Sequence, residues 1–210
     1  PDQLIPFVSN IIQSEYKLSK NTICYDLNLG CAGFVQGLYL AASLLNGFNI
    51  DDKVLIVCSE TLSKILDLND NSTNMIFGDG AASVLIGKDQ KNISYFNIFS
   101  DGDNWKAIRT NKTNQNQDIL YMNGSDVFDF TIREISLSIE NLLSKSKINK
   151  NDIDCFVLHQ ANSFILNQIA AQLGIENKSR IINQISHVGN TSSVSIPLAL
   201  SIEFTGKNLE

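Results

Sequence analysis

The sequence predicts an α/β fold in which strands alternate with helices, giving a mainly parallel sheet covered on both faces. Three observations carry this prediction. Val54-Leu55-Ile56-Val57-Cys58 is an unbroken apolar run of strand length, the pattern of a strand buried on both sides. Residues Cys31 to Leu45 are almost wholly small or apolar, as in a helix buried all round. From Cys155 onward, short apolar strands alternate with helical patterns and meet them at tight polar turns.

Taken in chain order, Leu4, Ile5, Phe7, Val8, Ile11, Ile12 and Leu18 fit a short helix after Pro6, closed by the turn Ser19-Lys20-Asn21. Thr22 to Leu27 reads as a strand, and Gly47 sits where the Cys31–Leu45 helix would be capped. Phe77-Gly78-Asp79-Gly80 is a turn feeding the small-residue strand Ala81 to Ile86, and Ser94 to Phe99 is a further strand. Residues 101–118, rich in Asn, Lys and Gln, read as a surface loop. A helix is predicted from Ser125 to Lys145, because Val127, Phe128, Ile132, Ile135, Ile139, Leu142 and Leu143 recur at helical spacing. After the linker Ile148 to Asp152 come a strand at Cys155–Leu158 and a helix at Ser163–Leu173 closed by Gly174. A strand at Arg180–Ile185 and a last helix follow. The closing stretch, Ser195 to Glu210, reads as an apolar helix with nothing after it to cover it. With Pro1 in place of an initiator Met, it suggests a fragment of a longer chain.

Composition narrows the function. A chain of 210 residues with 43% hydrophobic content can bury a real core. The net charge of −6 gives no basic stripe to neutralise phosphates, so nucleic acid is not an expected partner. No apolar run of about 18 residues exists, so no membrane span is expected, and Pro1-Asp2-Gln3 does not begin a signal peptide. Cys24, Cys31, Cys58 and Cys155 lack CxxC spacing, and His159 and His187 are the only histidines, which argues against a zinc site or a disulfide scaffold and for a reduced, cytoplasmic protein. The 24 asparagines read as compositional bias.

Three strand-to-helix turns carry chemistry. Cys31 stands where a strand turns through Asn28-Leu29-Gly30 into the apolar helix; there the positive end of the helix favours thiolate, and free N–H groups can hold an oxyanion. Gly30 and Gly33 would leave room for a substrate. Taken alone, Cys31 reads more simply as a buried structural thiol, the reading kept for the other three cysteines. His159 follows its strand directly, where α/β sheets bind ligands, and it reads equally as a loop or capping histidine. Asn190, in His187-Val188-Gly189-Asn190-Thr191, can donate two N–H hydrogens to a carbonyl, or simply cap the last helix. Together, Cys, His and Asn make a thiol-dependent acyl-transfer site. The alternating βα pattern does not suit a papain-like protease with the same three residue types.

Five motifs, in order and spacing, resemble one family: Cys31-Ala32-Gly33-Phe34, Phe77-Gly78-Asp79-Gly80-Ala81, Met122-Asn123-Gly124 with Val127-Phe128, His159-Gln160-Ala161-Asn162, and Gly189-Asn190-Thr191-Ser192. Ser59-Glu60-Thr61-Leu62-Ser63 is similar too. From about Leu4 to Phe204 the chain resembles β-ketoacyl-acyl-carrier-protein synthase III, a thiolase-fold condensing enzyme. The resemblance implies a thiolase-like layered αβαβα fold with mixed, mainly parallel sheets and buried central helices. Residues 1–118 would end the first half and carry the nucleophile, and 119–210 would form the second half without its final strands. Cys31 would take an acyl group from a thioester, usually acyl-coenzyme A, with its own backbone N–H in the oxyanion hole. His159 and Asn190 would hydrogen-bond the thioester carbonyl of malonyl-acyl carrier protein as carbon dioxide leaves. No metal or resident cofactor is implied, and a homodimer is.

The resemblance has gaps. The family's chain is longer at both ends, and its glycine-rich loop near the C-terminus supplies a second oxyanion N–H. Phe164 stands where an Arg usually docks the carrier protein, and Ala171, Gln172 and Asp129 stand where lysines are common. Asn71 replaces an Arg used for coenzyme A. Ile5 replaces a Phe that reaches into the partner's acyl pocket, so Ile5, Phe77 and Phe164 are the candidate substrate-pocket residues. Val188 replaces an aromatic or His. Lost cations should weaken association with an acidic carrier. Two other readings follow: an acyltransferase of the same fold acting on an amine or alcohol in glycan or secondary-metabolite synthesis, and a non-catalytic dimer partner.

Overall fold

The structure is a computed structural model, and it describes residues 5–89 and 93–207. Leu4 and residues 208–210, named in the predicted first and last helices, lie outside the described residues. Helix α1 (Val8–Glu15) follows a cis Ile5-Pro6 peptide, as the pattern after Pro6 predicts. The Asp26 carboxylate accepts from the first N–H groups of α1, those of Val8 and Ser9, at 2.7 and 3.0 Å. Those donors have no partner within the helix, and their bonds hold Asp26 below the usual carboxylate range against the upward push of its partial burial.

The first layer is built from helix α2 (Gly33–Asn46) on a two-stranded antiparallel sheet, β1 (Lys53–Glu60) with β2 (Gly80–Gly87), paired from Lys53↔Gly87 to Glu60↔Gly80. Helix α2 ends at Gly47 as predicted. Its buried residues, Phe34, Gly37, Ala41 and Leu45, lie on one stripe, whereas Val35 and Tyr39 are exposed. Burial in β1 alternates too, leaving Leu55 and Val57 outward. Both apolar runs were expected to be covered all round. Among the described residues each is packed on one face only, because apolar composition sets the demand for burial while neighbouring elements decide which face receives it. Phe34, Cys58, Val194 and Ile196 form the core here, with Leu38, Ile56, Ala82 and Val84 around them. Burying a side chain of this size contributes roughly 1.5–3 kcal/mol.

Between the layers, the short helix α3 (Asn71–Asn74) is capped by Asp70. Residues 101–118, expected as a loop, contain a hairpin: β3 (Ile108–Lys112) pairs antiparallel with β4 (Asp118–Met122). The polar turn closes because Thr113 Oγ1 accepts from the N–H groups of Gln115 and Gln117 at 3.2 and 3.1 Å. Polar side chains hid a strand whose pairing depends on backbone bonds and a side-chain-capped turn.

The second layer packs helix α4 (Gly124–Ser146) against α5 (Ser163–Gln172). Phe128, Ile132, Ile135 and Ile139 of α4, the predicted apolar stripe, meet buried Ile165, Ile169, Ala170 and Leu173. Asparagines start these segments. Asn123, Asn149, Asn162 and Asn177 each accept from a backbone N–H of the turn they open, and each such cap contributes about 1 kcal/mol. Part of the asparagine excess therefore has a mechanical role. Thr22–Leu27 and Ser94–Phe99 form no ladder, and Cys155–Leu158 and Arg180–Ile185 touch only through the isolated parallel bridge Phe156↔Ile181. The sequence of Arg180–Ile185 ends in a short helix, α6 (Ile185–Val188), instead of a longer strand. Both ladders among the described residues are antiparallel, and parallel pairing is confined to single bridges. A strand pattern without a partner at hydrogen-bonding distance makes no ladder.

Helix α7 (Ser195–Phe204) buries Ser195, Ile196, Pro197 and Ala199 and packs on β2, so its first turns are covered and only its later part, with Ile202, is open. Pro197 lies within the first turn, where its missing N–H has no helical acceptor to lose. Among the described residues no helix is long and apolar enough to cross a membrane.

Candidate active site

Cys31 sits in a single 3-10 turn, Gly30–Ala32, that runs directly into α2. Across from it lies the segment Gly189–Ser195 at the entry to α7. Asn190 pairs with Phe77 in a parallel bridge: Asn190 N–H donates to Ile76 O and Gly78 N–H to Asn190 O, both at 3.0 Å. The approach is so close that a Cβ on Gly78 would stand 2.6 Å from the Val188 carbonyl oxygen, and Gly189 takes a φ of +67° beside Ile76 O. Here glycine is required by contact between two backbones. Ser192 adopts a φ of +51°, which turns its N–H back to Asn190 Oδ1 at 2.9 Å and sets its hydroxyl 3.6 Å from Cys31 Sγ. Backbone held in this sparsely populated region is characteristic of sites where geometry is over-determined by surrounding contacts.

The contact from Ser192 also orients an amide. A backbone N–H can only donate, so the Asn190 atom facing it is the oxygen, and Nδ2 is left as donor to a third party. Among the described residues Nδ2 has no hydrogen-bond partner. Asn190 thus makes the local bond of a capping residue and keeps a donor in reserve.

Glu60, the last residue of β1, accepts from the Ser193 hydroxyl at 2.6 Å and from the Ser193 N–H at 3.3 Å. It ties β1 to the segment that faces Cys31. Gly33 is packed against the same segment, since a Cβ there would lie 3.1 Å from Ser193 Cβ. The room expected for substrate at Gly33 is therefore occupied by Ser193, because the two segments touch. The Cys31 thiol is pushed above its usual value of about 9, chiefly by burial; the Ser192 hydroxyl opposes this, and Glu60 adds to it by like-charge repulsion. The helix start was expected to favour thiolate. In the folded chain desolvation acts the other way and raises the thiol's pKa.

His159 enters from the second layer. The backbone from Phe156 to Gln160 leaves the bridge to Ile181, and the fully buried Gln160 side chain donates to Leu158 O at 2.7 Å and Ile182 O at 3.1 Å while accepting from Gln184 N–H at 2.8 Å. Those three bonds fix where His159 leaves its strand. Its Nδ1 lies 2.7 Å from Ser195 Oγ, on the first residue of α7. Burial lowers its pKa to about 4, so the ring is neutral at pH 7, with one nitrogen a donor and the other an acceptor. Cys31, His159 and Asn190 are thus gathered around one segment, residues 190–195.

The substrate-pocket residues fare differently. Phe77 is part-buried and bridged to Asn190, beside the site. Ile5 is 87% exposed, and Phe164 is 60% exposed and stacks on Phe128 with ring centroids 5.6 Å apart. In the single chain both stand on outward faces. Concavities of about 480 and 430 Å³ border the end of α4 and the Lys150–Arg180 region, and none of the three candidate residues lines them. No group of three His, Cys, Asp or Glu among the described residues is placed to hold a metal. The sequence reading missed Ser192, Ser195 and Glu60. The signal for the two serines was the run Ser192-Ser193-Val194-Ser195, whose serines are all buried here at the start of an apolar helix, while Glu60 lay unassigned within a quoted motif.

A half-buried thiol at the start of a helix, with a His and an Asn gathered on the same 190–195 segment, fits the thiolase-like class of thiol-bearing folds. Comparison with known proteins agrees. Residues 25–102 match the family described as 3-oxoacyl-[acyl-carrier-protein (ACP)] synthase III, and residues 143–209 match its C-terminal counterpart. Beta-ketoacyl-[acyl-carrier-protein] synthase III of Rickettsia bellii (strain OSU 85-389) is 36% identical over 213 residues, covering 99% of this chain and 66% of that protein. Its namesake from Rickettsia canadensis (strain McKiel) is 38% identical over 206 residues, covering 96% and 64%. The solved synthase III from Thermus thermophilus superposes with a TM-score of 0.86 at 33% identity, covering 98% of this chain and 66% of that one. The chain belongs to the 3-oxoacyl-[acyl-carrier-protein] synthase III family and has its thiolase-like α/β fold. It spans a little under two thirds of the length of these relatives.

Proposed function

We propose that this chain carries the acyl-transfer centre of a decarboxylating condensing enzyme, with Cys31 as nucleophile and His159 and Asn190 as hydrogen-bond donors. The observation that carries the reading is the contact between Ser192 and Cys31, which brings the thiol to the segment that orients Asn190 and holds His159. The Cys31 sulfur attacks the carbonyl of an acyl thioester such as acyl-coenzyme A. The old carbon–sulfur bond breaks, and the departing thiol takes the proton that Cys31 gives up. Cys31's own N–H, at the start of α2, would stabilise the intermediate oxyanion. A malonyl thioester on acyl carrier protein then loses carbon dioxide, and the electron pair left behind is held as an enolate by N–H donors from His159 and Asn190. The enolate carbon attacks the acyl-cysteine, releasing Cys31 and a β-ketoacyl product.

The division into a nucleophile-bearing part, residues 1–118, and a His/Asn-bearing part, 119–210, belongs to this reading. It is supported by the two hydrophobic clusters, one around α2, β1 and α7 and the other around α4 and α5. Since Val194 and Ile196 contribute to the first cluster, the two parts interlock at α7. The family likeness also brings a homodimer and a cytoplasmic setting to the proposal. Transfer to an amine or alcohol acceptor is a second reading. It is favoured by the exposed Phe164, an apolar ring where the family resemblance implies a docking cation.

The test is to incubate the intact protein with acyl-coenzyme A and measure the mass added at Cys31, then to follow carbon dioxide release from malonyl-acyl carrier protein. Acylation together with decarboxylation supports condensation. Acylation without it excludes condensation and leaves the second reading.

A further inference from the structure

The Ser195 hydroxyl is almost completely buried, at 1% exposure, and has two partners among the described residues. The Gln160 backbone N–H lies 3.3 Å from Oγ and His159 Nδ1 lies 2.7 Å from it. The Gln160 N–H can only donate, so it takes a lone pair of Oγ. The single Ser195 hydrogen must then find an acceptor. No carbonyl or carboxylate among the described residues accepts it, and burial removes water as an alternative. The only acceptor in reach is the imidazole nitrogen Nδ1. Leaving that buried hydroxyl hydrogen unshared would cost its full desolvation, which biases the tautomer equilibrium toward the form that accepts at Nδ1.

We infer that Ser195 is a positioning residue: its hydroxyl, held by the Gln160 N–H, donates to His159 Nδ1 and thereby places the ring proton on Nε2, the nitrogen left free to donate to a substrate carbonyl. The alternative tautomer would carry its proton on Nδ1, turn Nε2 into an acceptor and repel a carbonyl oxygen. Burial keeps the ring neutral, with a pKa of about 4, so a single proton has to be allocated and the serine allocates it. Asn190 is oriented in the same way by the Ser192 N–H. Each of the two candidate donors therefore has its donor atom chosen by a residue of the 192–195 segment.

The inference rests on the reading of His159 as a donor, and its primary test needs no turnover, so the two fail separately. Nitrogen-15 NMR of the histidine-labelled intact protein near pH 7 reads the tautomer of each imidazole, and the signal that disappears in His159→Gln is assigned to His159. The expected wild-type result is an Nε2–H imidazole at His159; an Nδ1–H imidazole overturns the inference. Ser195→Ala should move His159 to a mixture of tautomers and lower the kcat for malonyl-thioester decarboxylation about tenfold with little change in KM. Ser195→Thr, which keeps the hydroxyl, should restore the Nε2–H form. An unchanged tautomer in Ser195→Ala overturns the role of the serine. If that variant does not fold, the wild-type spectrum still decides. Absence of decarboxylation in the wild type would count against the proposed function and leave the tautomer result standing.

Discussion

The Ser192 hydroxyl lies 3.6 Å from the Cys31 sulfur, joining residues 161 positions apart in the chain. A donor at the sulfur stabilises thiolate over thiol, and it opposes the burial that raises the Cys31 pKa. Ser192→Ala should therefore slow Cys31 alkylation by iodoacetamide at pH 8 by about fivefold, the effect of losing a hydrogen bond of ~1 kcal/mol. An unchanged rate, measured by mass spectrometry of the Cys31 peptide, would show that this contact does not tune the thiol.

Glu60 acts on the same sulfur in the opposite direction, through its negative charge. Glu60→Gln keeps an acceptor for Ser193 and removes the charge, so alkylation of Cys31 near neutral pH should speed up. Glu60→Ala removes the acceptor as well, leaving the Ser193 hydroxyl without its 2.6 Å partner, and should cost about 1–3 kcal/mol in chemical denaturation. If both variants alkylate at the wild-type rate, the charge of Glu60 is not felt at Cys31.

His159 predicts a pH dependence of stability. Its folded pKa of about 4 lies below the ordinary value of 6.5, so between those values the unfolded chain binds the extra proton. The stability associated with the neutral ring is complete above about pH 6.5 and is lost as pH falls toward 4, by up to roughly 3 kcal/mol. His159→Gln should flatten the fall in Tm across that window relative to the wild type. Parallel curves would place the acid sensitivity elsewhere.

Asn190 and Cys31 should separate the two half-reactions. Asn190→Ala removes a donor and leaves the thiol, so acylation of Cys31 should persist while decarboxylation falls by about 10²–10³-fold. Cys31→Ala should abolish acylation. Radiolabelled acyl transfer followed by carbon dioxide trapping distinguishes them, and loss of acylation in Asn190→Ala would argue that Asn190 supports the nucleophile's segment instead.

Gly78 gives a purely steric prediction. Its Cβ position lies 2.6 Å from the Val188 carbonyl oxygen, closer than carbon and oxygen can approach, so Gly78→Ala must push the Phe77–Asn190 bridge apart. Overpacking of this kind costs roughly 1–3 kcal/mol, and thermal unfolding should register it as a fall of a few degrees in Tm. Decarboxylation should fall as well, since Asn190 moves with the bridge.

Helices were the most legible part of the sequence. The stripe from Val127 to Leu143 and the asparagine caps specify α4 and α5 locally, because helix hydrogen bonds close within the segment. Strands were less legible. Residues 108–112 pair despite a polar sequence, whereas apolar Thr22–Leu27 forms no ladder, since pairing requires a partner that a strand's own residues do not name. At the site, Cys31, His159 and Asn190 were readable as residue types at strand-to-helix turns. Phe164 and Ile5 were read as pocket residues from matched positions; in the single chain both are exposed, and what would cover them lies outside their own segments.

The sequence by itself determined the family motifs, the helical stripes, the caps and the choice of Cys31, His159 and Asn190 as candidates, all of which depend on residues near one another in the chain. Only the tertiary structure decided their states. Burial pushed the Cys31 thiol's pKa up where the helix start alone would lower it, Ser193 filled the space at Gly33, and serines of one loop came to face Cys31, Asn190 and His159. The physical reason is that desolvation and hydrogen-bond direction are properties of what surrounds a group, and here those surroundings come from segments more than a hundred residues apart as well as from close neighbours.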